Sequence, residues 1–308
     1  QPISLYRWMG LLGKARIGAR WLMHKDGLGA TNHFETGGHV RSRAGILYPD
    51  IQFHFLPLAI SYDGKTMASG HGYQVHVGTK RSKSRGWVRL DPANPADVPK
   101  VQFNYMSHAD DWTEMRASVR FAREIFAQPS FDAYRGRELA PGDGVTSDDE
   151  IDDFIRRKVE SAYHPCGTCR MGSDAGAVTD PECRVKGVDG LRVIDASVMP
   201  QATAGDLNAP TIALAERASD LIRGRHLQPA DSAPILVDPD WQNRQRSPSI
   251  SHDLASNRPS IEAGLAHERM AGTNGQGTSP RENGTQWAMW SDAQETGIQR
   301  LTVNQTRN

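Results

Sequence analysis

Ile51-Gln52-Phe53-His54-Phe55 alternates apolar with polar side chains, and Tyr73-Gln74-Val75-His76-Val77 does the same. A period of two puts one set of side chains on a buried face and the other on a polar face, the pattern of antiparallel strands. Val88-Arg89-Leu90 and the positions Val101, Phe103 and Tyr105 extend the set. The polar face carries several His and Gln residues, suited either to solvent or to the lining of a pocket.

Helical patterns flank these strands. Residues 110–128 bring Met115, Val119, Ala122 and Phe126 to one side and stop at Pro129. Ser147-Asp148-Asp149-Glu150 reads as a capping box that opens a helix running to about Ser161. Its acidic start and its Arg156-Arg157-Lys158 end suit the helix dipole. Before the strands, residues 5–23 form an amphipathic helix. Its stripe is Leu5, Trp8, Met9, Leu12, Ala19 and Leu22, and Arg7, Lys14, Arg16, Arg20 and Lys25 make a basic side. That helix is expected to pack on a core, with a membrane surface as the alternative. After the strands, Leu191-Arg192-Val193-Ile194 is expected as a short strand. A helix follows, with Asn208 as a cap, Pro210 in its first turn and Gly224 at its end. The expected fold class is therefore α+β, an antiparallel-sheet domain with helices over residues 1–162 and a strand–helix α/β portion over residues 163–225.

From His226 to Asn308 there is no Phe, Tyr, Lys or Cys, and the apolar residues Ile235, Trp241, Ile261, Trp287 and Trp290 follow no period. Such a segment buries too little apolar area to offset its ordering entropy, so 226–308 is expected to be a disordered tail.

The 308 residues carry 36 Lys+Arg and 36 Asp+Glu. Balanced charge argues against a nucleic-acid partner, because neutralising phosphates needs a basic surplus. No run approaches the roughly 18 apolar residues of a membrane span, and no signal-peptide pattern opens the chain. Three cysteines are too few for a disulfide scaffold, which favours a reducing, intracellular compartment. Residue 1 is Gln, so a processed chain or a fragment is expected.

Chemistry-bearing residues are densest in Tyr163-His164-Pro165-Cys166-Gly167-Thr168-Cys169-Arg170-Met171-Gly172. Cys166-x-x-Cys169 is compatible with a redox pair, but that motif belongs at a strand-to-helix junction and this one follows a helix. With Cys183 and His164 it could make half of a zinc site, but the second paired motif such sites usually have is not evident, and no metal is expected. The third reading gives His164 acid–base work, since imidazole titrates nearest neutrality.

The ordered set His164–Gly172, Arg184-Val185-Lys186-Gly187-Val188, Gly190-Leu191-Arg192-Val193-Ile194-Asp195-Ala196-Ser197-Val198-Met199-Pro200 and Asn208-Ala209-Pro210-Thr211 resembles the C-terminal signature of the GMC (glucose–methanol–choline) flavin oxidoreductases. Asn32-His33-Phe34-Glu35, Phe53-His54-Phe55-Leu56-Pro57, Asn104-Tyr105-Met106-Ser107-His108 and Tyr134-Arg135-Gly136-Arg137-Glu138 resemble its choline dehydrogenase branch. The resemblance runs over about residues 1–225 and stops at the tail. The family's FAD motif, G-x-G-x-x-G, has no match; Gly70-His71-Gly72 lacks the third glycine. The resemblance thus implies the C-terminal half of such an enzyme, with residues 163–225 returning to its FAD domain. Alone, that half is expected neither to hold FAD tightly nor to turn over.

The resemblance further implies that His164 is the catalytic acid–base group and that Asn208 hydrogen-bonds the substrate oxygen, with a plain helix cap as the alternative for Asn208. Asp195, Ala196, Asn208 and Thr211 would contact the cofactor, and Asp195 would otherwise cap a turn. Choline would be the substrate, oxidised to betaine aldehyde and on to glycine betaine, an osmoprotectant. Glu35 would face its quaternary ammonium, with Phe55, Tyr105 or Tyr163 supplying aromatic faces. A respiratory electron acceptor and peripheral attachment at the cytoplasmic face of a membrane are also implied. Another GMC alcohol dehydrogenase, or a non-catalytic fragment or binding module, is the rival reading.

Overall fold

The computed structural model describes residues 4–34, 36–59, 70–90, 94, 96–226, 229, 232, 234, 237–245 and the strand at 299–306. Ile261, Trp287, Trp290 and Ile235 lie outside the described residues, and so does Glu35.

The alternating stretches form the centre of an antiparallel sheet. Strand β2 (Ile51–Leu56) pairs with β3 (Gly72–Thr79), with Phe53 opposite Val77 and His54 opposite His76. This register puts Ile51, Phe53 and Phe55 on one face with Tyr73, Val75 and Val77, and Gln52 and His54 on the other with Gln74 and His76. β1 (Thr36–Val40) pairs with the outer side of β2. It was not anticipated, because Gly37-Gly38 interrupts any alternation. Short β4 (Trp87–Arg89) and β5 (Lys100–Gln102) make a separate hairpin, with β5 ending before Phe103 and Tyr105.

The apolar face is covered by α2 (Ala109–Phe126) and α3 (Asp148–Lys158). Met115, Val119, Ala122 and Phe126 of α2 meet the strand residues, and Ile151, Phe154 and Ile155 of α3 close the same cluster. Each such side chain contributes about 1.5–3 kcal/mol on burial. The start of α3 is the expected capping box: Ser147 Oγ accepts from the Glu150 amide at 3.3 Å while Glu150 Oε2 accepts from the Ser147 amide at 2.9 Å. The Ser147 and Thr146 amides, both donating to it, hold the Glu150 carboxyl below its ordinary range. Arg123 near the end of α2 makes a two-pronged ion pair with Glu138 of β6 (Glu138–Ala140), at 3.0–3.2 Å.

Three expectations are corrected. The opening helix is broken: a 3-10 turn, Leu5–Trp8, ends before Gly10, and α1 (Leu11–His24) starts there. None of the residues in α1 is buried, and Leu12 and Leu22 are 86% and 66% exposed, so the stripe packs on no core among the described residues. Residues 191–194 form no strand. Their backbone is spent on local pairs, Val185 N–H to Leu191 O at 2.9 Å and Val193 N–H to Cys183 O at 3.0 Å. The region after 226, expected to be mostly disordered, makes specific contacts where it is described. Asp238 pairs with Arg41 at 3.0 Å, and Gln245 donates to the carbonyls of Arg41 and Ser42. β8 (Gln299–Thr306) lies between β3 and β6 and also meets β7 (Glu160–Ser161). Polar side chains make the described docking at 238–245, which an apolar period cannot reveal.

Candidate active site

His164 is presented by a loop whose backbone is fixed on both sides. Tyr163 and Gly167 take left-handed conformations, φ 61° and 91°. The Cys169 and Met171 amides donate to Ser197 and Val198 carbonyls at 2.9 and 2.8 Å. Those carbonyls belong to a 3-10 turn, Ala196–Val198, capped by Asp195, whose carboxylate accepts from the Ser197 amide at 2.8 Å. Asp195 is exposed and takes the turn-capping role. Beneath the loop, Met199, Ala202 and Leu207 form one small cluster and Cys183, Val198 and Ala218 a second. Cys183 is thus a small buried apolar residue. Cys166 and Cys169 are free thiols, and burial pushes the Cys166 thiol up, away from thiolate chemistry. No group of metal-ligating side chains occurs among the described residues.

The loop after this turn carries Asp206, which lies between His164 and the polar face of the sheet. Asp206, at φ 59°, lies with Oδ1 3.3 Å from His164 Nε2, close enough for an ion pair but outside hydrogen-bond alignment. Its Oδ2 accepts from Gln52 Nε2 at 3.2 Å. Gln52 Oε1 in turn accepts from Lys80 Nζ at 2.9 Å, and Lys80 Nζ lies 2.9 Å from His39 Nδ1. Lys80 is fully buried. Burial pulls its ammonium below the ordinary lysine range, and Asp206 opposes that shift. His39 is lowered by burial first and by Lys80 second. Phe34 stands edge-on to His76 and His54, with centroids 5.6 and 6.4 Å away. Neither Asp206 nor Lys80 was anticipated. Gly205-Asp206 reads as a turn, and Lys80 lies between Thr79 and Arg81 like a solvated cation.

Asn208 opens α4 (Asn208–Ile222) but does not cap it; the cap position is Leu207, which has no side chain to close the first turn. Asn208 and Ala209 are exposed. Thr211 Oγ1 donates to the Leu207 carbonyl at 2.6 Å. The chain therefore brings together His164, Asp206 and, two residues on, the start of α4, while Asp195 stands apart on the turn behind the loop. Phe55 lies in the apolar core against Tyr73 and Phe126, on the other face from Gln52. Tyr163 is 61% exposed. Tyr105 stacks on Phe103 at 5.1 Å and lines a cavity of about 250 Å³ with Arg85, Cys166 and Gln201.

Residues 82–215 match the C-terminal domain model of the GMC oxidoreductases. That match takes in under half of the chain, and over it the chain is similar to the GMC oxidoreductases. It is 57% identical over 248 residues to an oxygen-dependent choline dehydrogenase of Brucella ovis, covering 80% of this chain and 45% of that relative. It is 55% identical over 227 residues to the protein of that name from Rhizobium etli, 73% of this chain and 41% of the relative. The chain thus spans less than half the length of these curated relatives. A match of 248 residues exceeds the 225 residues before the tail, so the likeness reaches past Arg225, in keeping with the docked Asp238 and Gln245. Among solved structures, pyridoxine 4-oxidase from Mesorbium loti shares 34% identity at a TM-score of 0.58, covering 63% of this chain and 39% of that one. A formate oxidase superposes at 0.66 with 21% identity over 72% of this chain and 44% of that one, a likeness of fold.

GMC oxidoreductases of this kind use FAD. The donor set here fits part of such a group: the first-turn amides of an uncapped helix, at Asn208 and Ala209, are open donors for flavin oxygens.

Proposed function

We propose that this chain is the substrate-binding and catalytic half of an FAD-dependent choline dehydrogenase, converting choline to betaine aldehyde and on to glycine betaine. The observation that carries it is His164, held at the polar sheet face beside Asp206 and the open start of α4. A bound FAD would supply the acceptor for the hydride of the alcohol carbon. His164 takes the hydroxyl proton, and its imidazole is positioned for that by the two backbone bonds of its loop. Asn208 donates its amide N–H to the substrate oxygen and steadies the charge that grows there. Asn208, Ala209, Ala196 and Thr211 hold the flavin side of the site, with Asp195 acting through the turn it caps. A quaternary ammonium has no donor hydrogen, so it needs aromatic faces and carboxylates. Phe34, whose ring stands against His76 on the polar face, supplies an aromatic surface, and Glu35, next to it in the sequence, is the carboxylate of this reading.

The test is flavin reduction in a full-length enzyme containing this segment, with choline set against neutral primary alcohols of similar size. Bleaching of the flavin by choline at far lower concentration supports the assignment; equal response to the neutral alcohols assigns another GMC alcohol dehydrogenase. Flavin absorbance that stays with this 308-residue chain through gel filtration contradicts its dependence on a separate FAD-binding half.

The same reading includes a respiratory electron acceptor and peripheral contact with the cytoplasmic face of a membrane. No described helix is long and apolar enough to cross a membrane. On α1, the exposed Leu11, Leu12, Leu22 and Met23 lie on one side with Lys14, Arg16 and Arg20 around them, as interfacial helices do. Co-sedimentation with anionic but not neutral vesicles supports the contact. Reoxidation of the reduced flavin by a soluble quinone and by oxygen, compared side by side, tests the acceptor.

A further inference from the structure

Lys80 is a fully buried cation, and nothing in the proposed reaction uses it. A buried ammonium persists only where hydrogen bonds and a counter-charge compensate its desolvation. The hydrogen bonds come from Gln52 and His39. Asp206 is the carboxylate that favours its charge. Gln52 stands between the two ions, and its orientation is forced. A carboxamide has an accepting oxygen and a donating nitrogen, so the oxygen must face Lys80 and the nitrogen must face Asp206, as both do, at 2.9 and 3.2 Å. The residue is itself 6% exposed and lies near the start of β2. Asp206 is also held from its own side, because the Thr203 hydroxyl donates to its backbone carbonyl. The carboxylate is thus held on two sides, and its second oxygen lies 3.3 Å from His164 Nε2, within ion-pair distance.

We infer that Asp206 is a positioning residue for His164, fixed by a Lys80–Gln52 bridge across the sheet, which orients the imidazole and stabilises the imidazolium formed when it takes the substrate proton. This rests on His164 being the acid–base group. Among the described residues, Asp206 lies within ion-pair distance of the ring, with Lys80 and His39 behind it through Gln52, and Arg85 acts on the neighbouring Cys166.

The experiment is an NMR titration of the His164 ring in the 308-residue chain, which needs no turnover and so stands or falls apart from the assignment of substrate. In Asp206→Asn the His164 titration is expected to fall by about one unit, as for loss of a carboxylate within about 4–6 Å. Asp206→Glu should recover most of it. Gln52→Leu should move the titration in the same direction, and the Gln52→Leu/Asp206→Asn double variant should add little to Asp206→Asn alone, because both act on one carboxylate. An unchanged titration in Asp206→Asn overturns the inference. Full additivity in the double variant overturns the bridge. Near-UV circular dichroism of each variant confirms that a shift is read from folded protein.

Discussion

Between Ile51 and Ile155 the described residues bury fourteen apolar side chains in one cluster, thirteen from two strands and two helices and one, Met106, from the loop before α2. Between Cys183 and Ala218 they divide six between two clusters of three. The second region compensates with backbone: its loop amides are paired to the 197–198 carbonyls and its turns are capped by Asp195 and Asp180. One region is stabilised by area removed from water, the other by hydrogen bonds that fix direction more than they add free energy. The candidate catalytic residue, His164, stands on the loop that this second region holds in place, and it meets the sheet through Asp206 and Gln52.

The largest expected effect tests the functional side of this contrast. In a complete enzyme, His164→Ala should lower kcat by about 10²–10⁴-fold, the usual cost of losing an acid–base group, while urea denaturation of the sheet domain stays unchanged. A near-normal rate would remove His164 from its role and with it the catalytic reading of the weakly packed region. The counterpart in the strong core is Phe126→Ala. Phe126 is 1% exposed and its ring meets Tyr73 at 5.1 Å and Phe131 at 5.3 Å. Its truncation should cost about 3–5 kcal/mol in the urea midpoint analysis. A cost below about 1 kcal/mol would show that the cluster does not act as one core.

Glu114 of α2 sharpens the comparison from another direction, since it is a carboxyl placed within the well-packed region. Burial, and then the carboxylates of Asp50 and Asp111, push it up to about 8 from an ordinary 4.5. A raised carboxyl binds a proton in the folded chain that the unfolded chain has released. Its contribution to stability is therefore whole below about pH 4.5 and is lost progressively as pH rises towards 8. Glu114→Gln should remove this dependence. The melting temperature of the variant should gain on that of the parent between pH 5 and 8, and a constant difference over that range would refute the shift.

The two regions also differed in how much of them could be read beforehand. Period-two alternation exposed β2 and β3, and a capping box exposed the start of α3, because both are local consequences of side-chain geometry. The motif around His164 pointed to its chemistry by resemblance, yet its partner was invisible. Gln52 and Asp206 are 154 residues apart, and no local pattern announces that a turn Asp and a strand Gln will meet. Lys80 next to Arg81 has the sequence of a solvated pair, while the fold buries one and leaves the other to Gln201. The apolar run at 191–194 misled in the opposite sense, since four apolar-rich residues carry no period and their backbone groups found partners in the 183–185 turn instead.

The smallest effects concern the apolar side chains that neither region covers. Ser147→Ala removes one side of the capping box and should cost about 1 kcal/mol, read in the same urea experiment. Leu12 on α1 and Ile212 on α4 are 86% and 59% exposed. Truncating a side chain already in water removes almost no buried area, so Leu12→Ala and Ile212→Ala should each stay within about 0.5 kcal/mol of the parent in this chain. The physical content of this near-zero lies in what would break it. A loss above about 1 kcal/mol at Ile212 would mean that its face is packed in solution, and the weakly packed region would then owe its order to a covering surface rather than to its backbone. A null result in the 308-residue chain, followed by a clear loss for Ile212→Ala in a full-length enzyme, would locate that covering surface outside this chain. It would also explain why a segment with two clusters of three buried residues presents a fixed catalytic loop.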